Sequence, residues 1–216
     1  MRATNPPTNP ALLAALAKDF ADHNYDARHM LRTIANSRVY QLSADLSPEL
    51  DKDGAFFTHH EPRRMPAEVL LDAINQITGH TETFAGQPPG TRAISLPDPA
   101  VESDFLMTFG RPLRNNPCEC ARESTPDLLQ ALHLINNPTL QGKIASNKGR
   151  VVGLIGAQKT DDQVIEELYL ATYARLPTAV ESAAIRELAA GSSNRQELFE
   201  DLLWTLLNSP EFAFNH

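Results

Sequence analysis

With 216 residues, 42% hydrophobic and 21% charged, the chain has enough apolar material for one substantial core and too much for global disorder. Its formal net charge of −8 opposes the basic footprint that nucleic-acid binding requires, so no nucleic acid is expected as a partner. No apolar run is long enough to span a membrane, and the short ALLAALA run at 11–17 follows three prolines and a single basic residue, so it reads as helix rather than as a signal peptide.

Asn9-Pro10 predicts a helix start, a capping side chain followed by proline in the first turn, with Leu12, Leu13, Leu16 and Phe20 as its apolar stripe. Asp26 starts a second helix whose buried side is Ala27, Met30, Leu31 and Ile34, leaving Arg28, His29 and Arg32 on the opposite face. The two form a helical hairpin. From Ser43 to Met65 the pattern breaks into a polar connection that Phe56 and Phe57 are expected to pin. The adjacent His59 and His60 lack a suitably spaced carboxylate or cysteine, which disfavours a zinc site. Helical spacing returns over 66–78 through Val69, Leu70, Ala73 and Ile77, and Gly79 supplies the stop. A second irregular stretch, 80–99, follows.

The segment 109–123 holds both cysteines, Cys118 and Cys120, among Arg111, Arg114 and Arg122, with Glu119 and Glu123 between. Three readings stand side by side. The thiols can be small buried residues tying a loop to the core, a disulfide closing a very small ring, or ligands of a soft metal favoured as thiolates by the arginines. Covalent haem is not expected, because its attachment needs two residues between the cysteines and a histidine directly after. The arginines suit a planar or tetrahedral oxyanion, yet Glu61, Glu68, Glu119 and Glu123 make internal ion pairs the simpler use. Thr125-Pro126 starts a further helix with Leu128, Leu132 and Ile135 as its buried stripe. His133 falls about 120° from the stripe's centre, a boundary residue able to serve as ligand or base.

The last third carries three capping-box signals, Thr160 with Gln163, Thr178 with Glu181 and Asn194 with Glu197. Three helices follow, with stripes Val164, Ile165, Leu168 and Ala171; Val180, Ala184 and Leu188; and Leu198, Phe199, Leu202 and Leu206. Trp204 belongs to the core of the last. The fold expected is mainly α, a multi-helix bundle with long irregular loops and room for a minor β-hairpin. It is read as a single helical domain over 1–216, with a subdivision into a loop-rich part, 1–150, and a terminal three-helix bundle, 151–216, as the variant.

The run FGRPLRNNPCECARESTPDLLQALHLINNPTL resembles the core of domain of unknown function 1553, a planctomycete-type secreted domain. PTNPALLAALAKDF, HMLRTIANSRVYQLS, PAEVLLDAINQITG, DQVIEELYLATYARLPTAVE and the terminal LLWTLLNSPEFAFNH extend the likeness over nearly the whole chain. Ala121 stands where an acidic residue is expected after the cysteine pair. The resemblance implies the C-terminal module of a longer exported protein, located in the periplasm, cell envelope or outside the cell. It implies companion domains as partners, a cytochrome-c-like domain among them, and makes a Cys118–Cys120 disulfide more credible. It carries no catalytic residue and no cofactor for this segment. The leading expectation is therefore a non-catalytic docking or scaffolding role, linked to polysaccharide capture at the cell envelope, with anionic polysaccharide as a further ligand. The alternative is an enzyme, thiol-redox or metal-binding domain centred on Cys118, Cys120 and His133, with the cluster Arg111, Arg114, Glu119, Arg122 and Glu123 orienting an anionic substrate.

Overall fold

The computed structural model describes residues 6–42, 60, 62–97, 101–112 and 128–215. Contacts divide the chain into two units, Met1–Pro62 with His216, and Arg63–Asn215.

In the first unit, α1 (Pro10–Asp22) and α2 (Ala27–Ala35) pack on each other as the expected hairpin. Both starts follow their capping residues. Asn9 Oδ1 accepts the Leu12 N–H at 3.0 Å, and Asp26 Oδ1 accepts those of Arg28 and His29. The turn between the helices uses Asn24 and Tyr25 with φ of 53° and 60°, a conformation that costs a residue with a large side chain. Tyr25 donates its N–H to Phe20 O and sets its ring edge-on to the Phe20 ring, which offsets that cost.

Burial here departs from expectation. Neither helix has a buried residue, and Leu12 and Leu31 are 55% and 67% exposed. Two short helices cannot enclose a core, so only Leu16, Phe20 and Met30 of the expected stripes become half-buried. His29, expected on the outer face of α2, is also half-buried because its ring turns towards α1.

The second unit begins and ends in one ribbon. β1 (Arg63–Arg64) pairs antiparallel with β2 (Phe214–Asn215), so the expected minor strand pair joins the two ends of the unit. α3 (Ala67–Thr78) ends at Gly79, whose φ of 73° provides the predicted stop. Its buried face is rotated from the expected stripe: Leu70, Leu71, Ile74 and Ile77 are buried, whereas Val69 is 37% exposed. The rotation follows from packing on several sides, by a 3-10 turn at Ala93–Ser95, α4 (Asp104–Thr108), α6 (Pro138–Ile144) and α7 (Arg150–Gly156). The irregular stretch after α3 is held by the buried carboxylate of Asp72, which accepts the Ala93 and Ile94 N–H groups at 2.7 and 3.2 Å. Phe84 and Leu96 anchor it in the core.

The C-terminus of α3 meets the N-terminus of α7. Arg150 donates to the carbonyls of Ile77 and Gln76 at the C-terminus of α3, where a cation complements the helix dipole. Gly149 has no room for a side chain, since a Cβ there would sit 2.9 Å from Ser146 O in the turn before α7 and 3.4 Å from Thr78 O of α3.

α8 (Asp161–Tyr173), α9 (Ala179–Gly191) and α10 (Arg195–Leu207) are the three predicted terminal helices. Thr160 with Gln163 and Thr178 with Glu181 form reciprocal capping boxes. Asn194 accepts the Gln196 and Glu197 N–H groups, and its amide, not its backbone, meets the Glu197 carboxylate. Val164, Ile165 and Leu168 are buried as expected, as are Phe199 and Leu206. α10 is the central element, packed on α6, α7, α8, α9 and α11 (Pro210–Ala213), and Trp204 lies partly buried against the core. The expected α9 stripe is corrected. Val180 is 80% exposed and Leu188 65%, and Ile185 alone is buried, because α9 packs at the rim of the unit.

The segment between α8 and α9 is tied by Arg175, which makes forked bonds to Glu181 and Glu211 and lies over the rings of Tyr169 and Tyr173. The guanidinium holds the Glu181 carboxyl down to about 2, and burial pushes the Tyr169 hydroxyl up to about 12.

Candidate functional site: a cleft beside His133

Ser103 starts α4 by accepting the Leu106 N–H, and the helix ends after one turn at Phe109-Gly110. Gly110 has φ of 77°, with its N–H donating to Met107 O and the next N–H, of Arg111, to Leu106 O. This reversal points Arg111 inward. Its Nε lies 4.0 Å from Glu68 Oε1, with both side chains more than nine-tenths buried. The internal ion pair anticipated for these arginines is thus realised for Arg111 with Glu68. Arg64 donates to Phe109 O at 3.1 Å and lies over the Phe109 ring. The start of the cysteine-bearing run is therefore a packing motif that locks α4 onto α3 and β1.

α5 (Leu128–Asn136) lies against α4. Its expected stripe is corrected: Leu132 and Ile135 are 43% and 41% exposed, and Gln130 and Leu134 are buried instead. Gln130 Nε2 reaches Thr108 O at 3.3 Å, so the end of α4 selects which side of α5 faces inward. That rotation places His133 inside the contact. Its ring stands edge-on to Phe105 and Phe109, which are themselves stacked with centroids 4.3 Å apart.

Between α4, α5, α6 and the loop carrying Glu82 lies a cleft of about 830 Å³. His133 lines it, and a capping residue favours its neutral form. Asn137 Oδ1 accepts the Thr139 and Leu140 N–H groups at the start of α6, so the Asn137 amide NH₂ is turned to His133 Nε2. That nitrogen must accept, which makes the imidazole neutral with its proton on Nδ1. Burial pushes the His133 pKa below the ordinary histidine range, against the opposing pull of Asp104. Lys143 lies deeper, 4% exposed, its ammonium 2.7 Å from both Glu82 Oε2 and Asn75 Oδ1. Above this polar floor stand the exposed side chains of Met107, Leu129 and Leu132.

Of the predicted cluster, the structure describes Arg111, in its buried pair, and His133, in the cleft wall. Arg114, Cys118, Glu119, Cys120, Arg122 and Glu123 lie outside the described residues, as do His59 and the Thr125 cap. Sequence reasoning missed Glu82, Asn137 and Lys143. Asn137-Pro138 repeats the Asn9-Pro10 start signal and would have located α6, with Lys143 on the same face as Leu140 and Ile144.

These features define a mainly helical module with a part-apolar cleft walled by short capped helices. The chain belongs to the PSD1 family, protein of unknown function (DUF1553), whose family model matches residues 2–189. No curated protein and no solved structure matches it significantly. No helix among the described residues is long and apolar enough to cross a membrane.

Proposed function

We propose that the chain is a non-catalytic docking or scaffolding module of an exported multidomain protein, and that a companion domain seats in the cleft beside His133. Polysaccharide capture at the cell envelope is the task assigned to the assembly. The observation that carries this reading is the division of the cleft into a self-paired polar floor and an open apolar rim. Lys143 is paired with Glu82 and Asn137 is turned onto His133, so these polar groups are already committed, and the Asp104 carboxylate adds a negative charge to the same lining. Met107 and Leu129, each 70% exposed, offer the uncommitted surface. An apolar rim on a chain of net charge −8 suits a protein surface better than a sulfated glycan.

The test is quantitative binding of this chain to the companion domains and, separately, to sulfated glycans. Companion-domain binding that Met107→Asp and Leu129→Asp each weaken by about tenfold or more supports the reading. Binding that ignores both substitutions, or that is confined to glycans, refutes it.

The thiol-centred alternative keeps one specific support, a neutral imidazole in a cleft wall, which is the form a general base needs. Under that reading His133→Gln slows the reaction of Cys118 and Cys120 with an anionic aromatic disulfide. An unchanged rate removes His133 from thiol chemistry.

A further inference from the structure

The α1–α2 hairpin gathers three metal-ligating side chains that the cleft does not use. Asp19 lies in the last turn of α1, His23 caps that helix one turn later, and His29 sits in the first turn of α2. One ligand atom from each lies within 4.8 Å of the other two. His29 Nε2 is 2.9 Å from Asp19 Oδ2, and His23 Nδ1 is 3.3 Å from Asp19 Oδ1. The two imidazoles lie nearly parallel, with centroids 3.7 Å apart and planes 16° from each other.

We propose that Asp19, His23 and His29 bind a divalent transition ion of the zinc class, joining the end of α1 to the start of α2. Neutral imidazole nitrogen and carboxylate oxygen are ligands this class accepts. Bonds of about 2.0–2.1 Å in a tetrahedral shell place ligand atoms roughly 3.3 Å apart, so these atoms, all within 4.8 Å of one another, reach an ion once the stacked imidazoles rotate to aim their lone pairs at it. The sequence delivers the geometry in two steps. Four-residue spacing sets Asp19 and His23 on one face of α1, and the left-handed pair Asn24-Tyr25 reverses the chain so that α2 brings His29 alongside. His23 Nδ1 also hydrogen-bonds to Asp19 O at 2.8 Å, and the ion replaces that bond, since a nitrogen that donates a proton has no lone pair to ligate with.

A need for such a tie is visible in the same unit. Neither helix buries a residue, so the hairpin lacks the apolar core that stabilises other helix pairs. An ion that binds only the folded hairpin stabilises it by mass action. The side chains of Asp19, His23 and His29 are 34%, 48% and 33% exposed, so an ion reaches them from solvent, and three protein ligands leave a position for water.

The experiment is calorimetric titration of the untagged chain with Zn²⁺ alone, after alkylation of Cys118 and Cys120 so that thiolates do not compete. One equivalent is expected to bind, with affinity reduced by about tenfold or more in His23→Gln and in His29→Gln, and unchanged in a control at the exposed His80. A second readout guards against a misfolded variant: hydrogen exchange of the α1 and α2 amides in the wild-type chain is expected to slow on adding Zn²⁺. No binding by the wild-type chain, wild-type affinity in both histidine variants, or unaltered exchange overturns the proposal.

Discussion

The α1–α2 hairpin and the unit spanning Arg63–Asn215 start their helices with the same devices and are stabilised by different means. Asn9 and Asp26 cap α1 and α2 as well as Thr160 and Thr178 cap α8 and α9. Yet the hairpin leaves its apolar residues at most half-buried, while α10 alone buries Phe199, Leu203, Leu206 and Leu207. Capping decides where a helix begins; it does not decide whether the apolar face of that helix is covered.

The largest expected effect is on the buried side of this contrast. Leu203→Ala, at a fully buried position, should destabilise the unit by about 2–5 kcal/mol in chemical denaturation, whereas Leu31→Ala in α2 should change stability by less than about 0.5 kcal/mol. Comparable losses at the two positions would erase the distinction. Next in size is the cap. Asp26→Ala should weaken the start of α2, seen as hydrogen exchange of its amides roughly several-fold faster while the unfolding midpoint of the larger unit stays fixed. A shift of that midpoint would mean that the hairpin is not an independent unit.

The smallest effect lies at His133. Its folded pKa is below the ordinary value of 6.5, so between the two the unfolded chain binds more protons than the folded one and stability rises with pH. The contribution is complete above about pH 6.5 and is lost as pH falls through the lowered folded pKa. His133→Gln should flatten this slope in denaturation curves recorded across that window. An unaltered slope would show that the imidazole is not held neutral by the cleft.

Helix existence was well represented in the residues. Asn9-Pro10, Asp26, Gly79, Thr160, Thr178 and Asn194 each mark a boundary that the structure keeps, because capping is local chemistry between a side chain and the next few backbone groups. α4 was not read, since a five-residue helix is too short for its periodicity to show. Faces were read less well. Val69, Leu132, Val180 and Leu188 all satisfied helical spacing and are exposed, because spacing measures which residues share a face and not which face a neighbour covers. The candidate site was half legible. His133 was recognised as a boundary residue, whereas its partners Asn137 and Asp104, and the Lys143–Glu82 pair beside it, converge only through the packing of α3, α4, α5 and α6. Asp19 and His23 carry a readable four-residue spacing, but His29 joins them through the turn at Asn24-Tyr25.

The sequence by itself determined the helical class, the starts of α1, α2, α3, α8, α9 and α10, the stop of α3, the family and the polar chemistry available to each segment. Only the tertiary structure decided which helix faces are buried, that Arg111 pairs with Glu68, and that His133 is neutral in the wall of a cleft. The physical reason is range. Caps and turns are settled by contacts a few residues apart, while burial, ion pairing and proton affinity depend on groups that the chain brings together from distant positions.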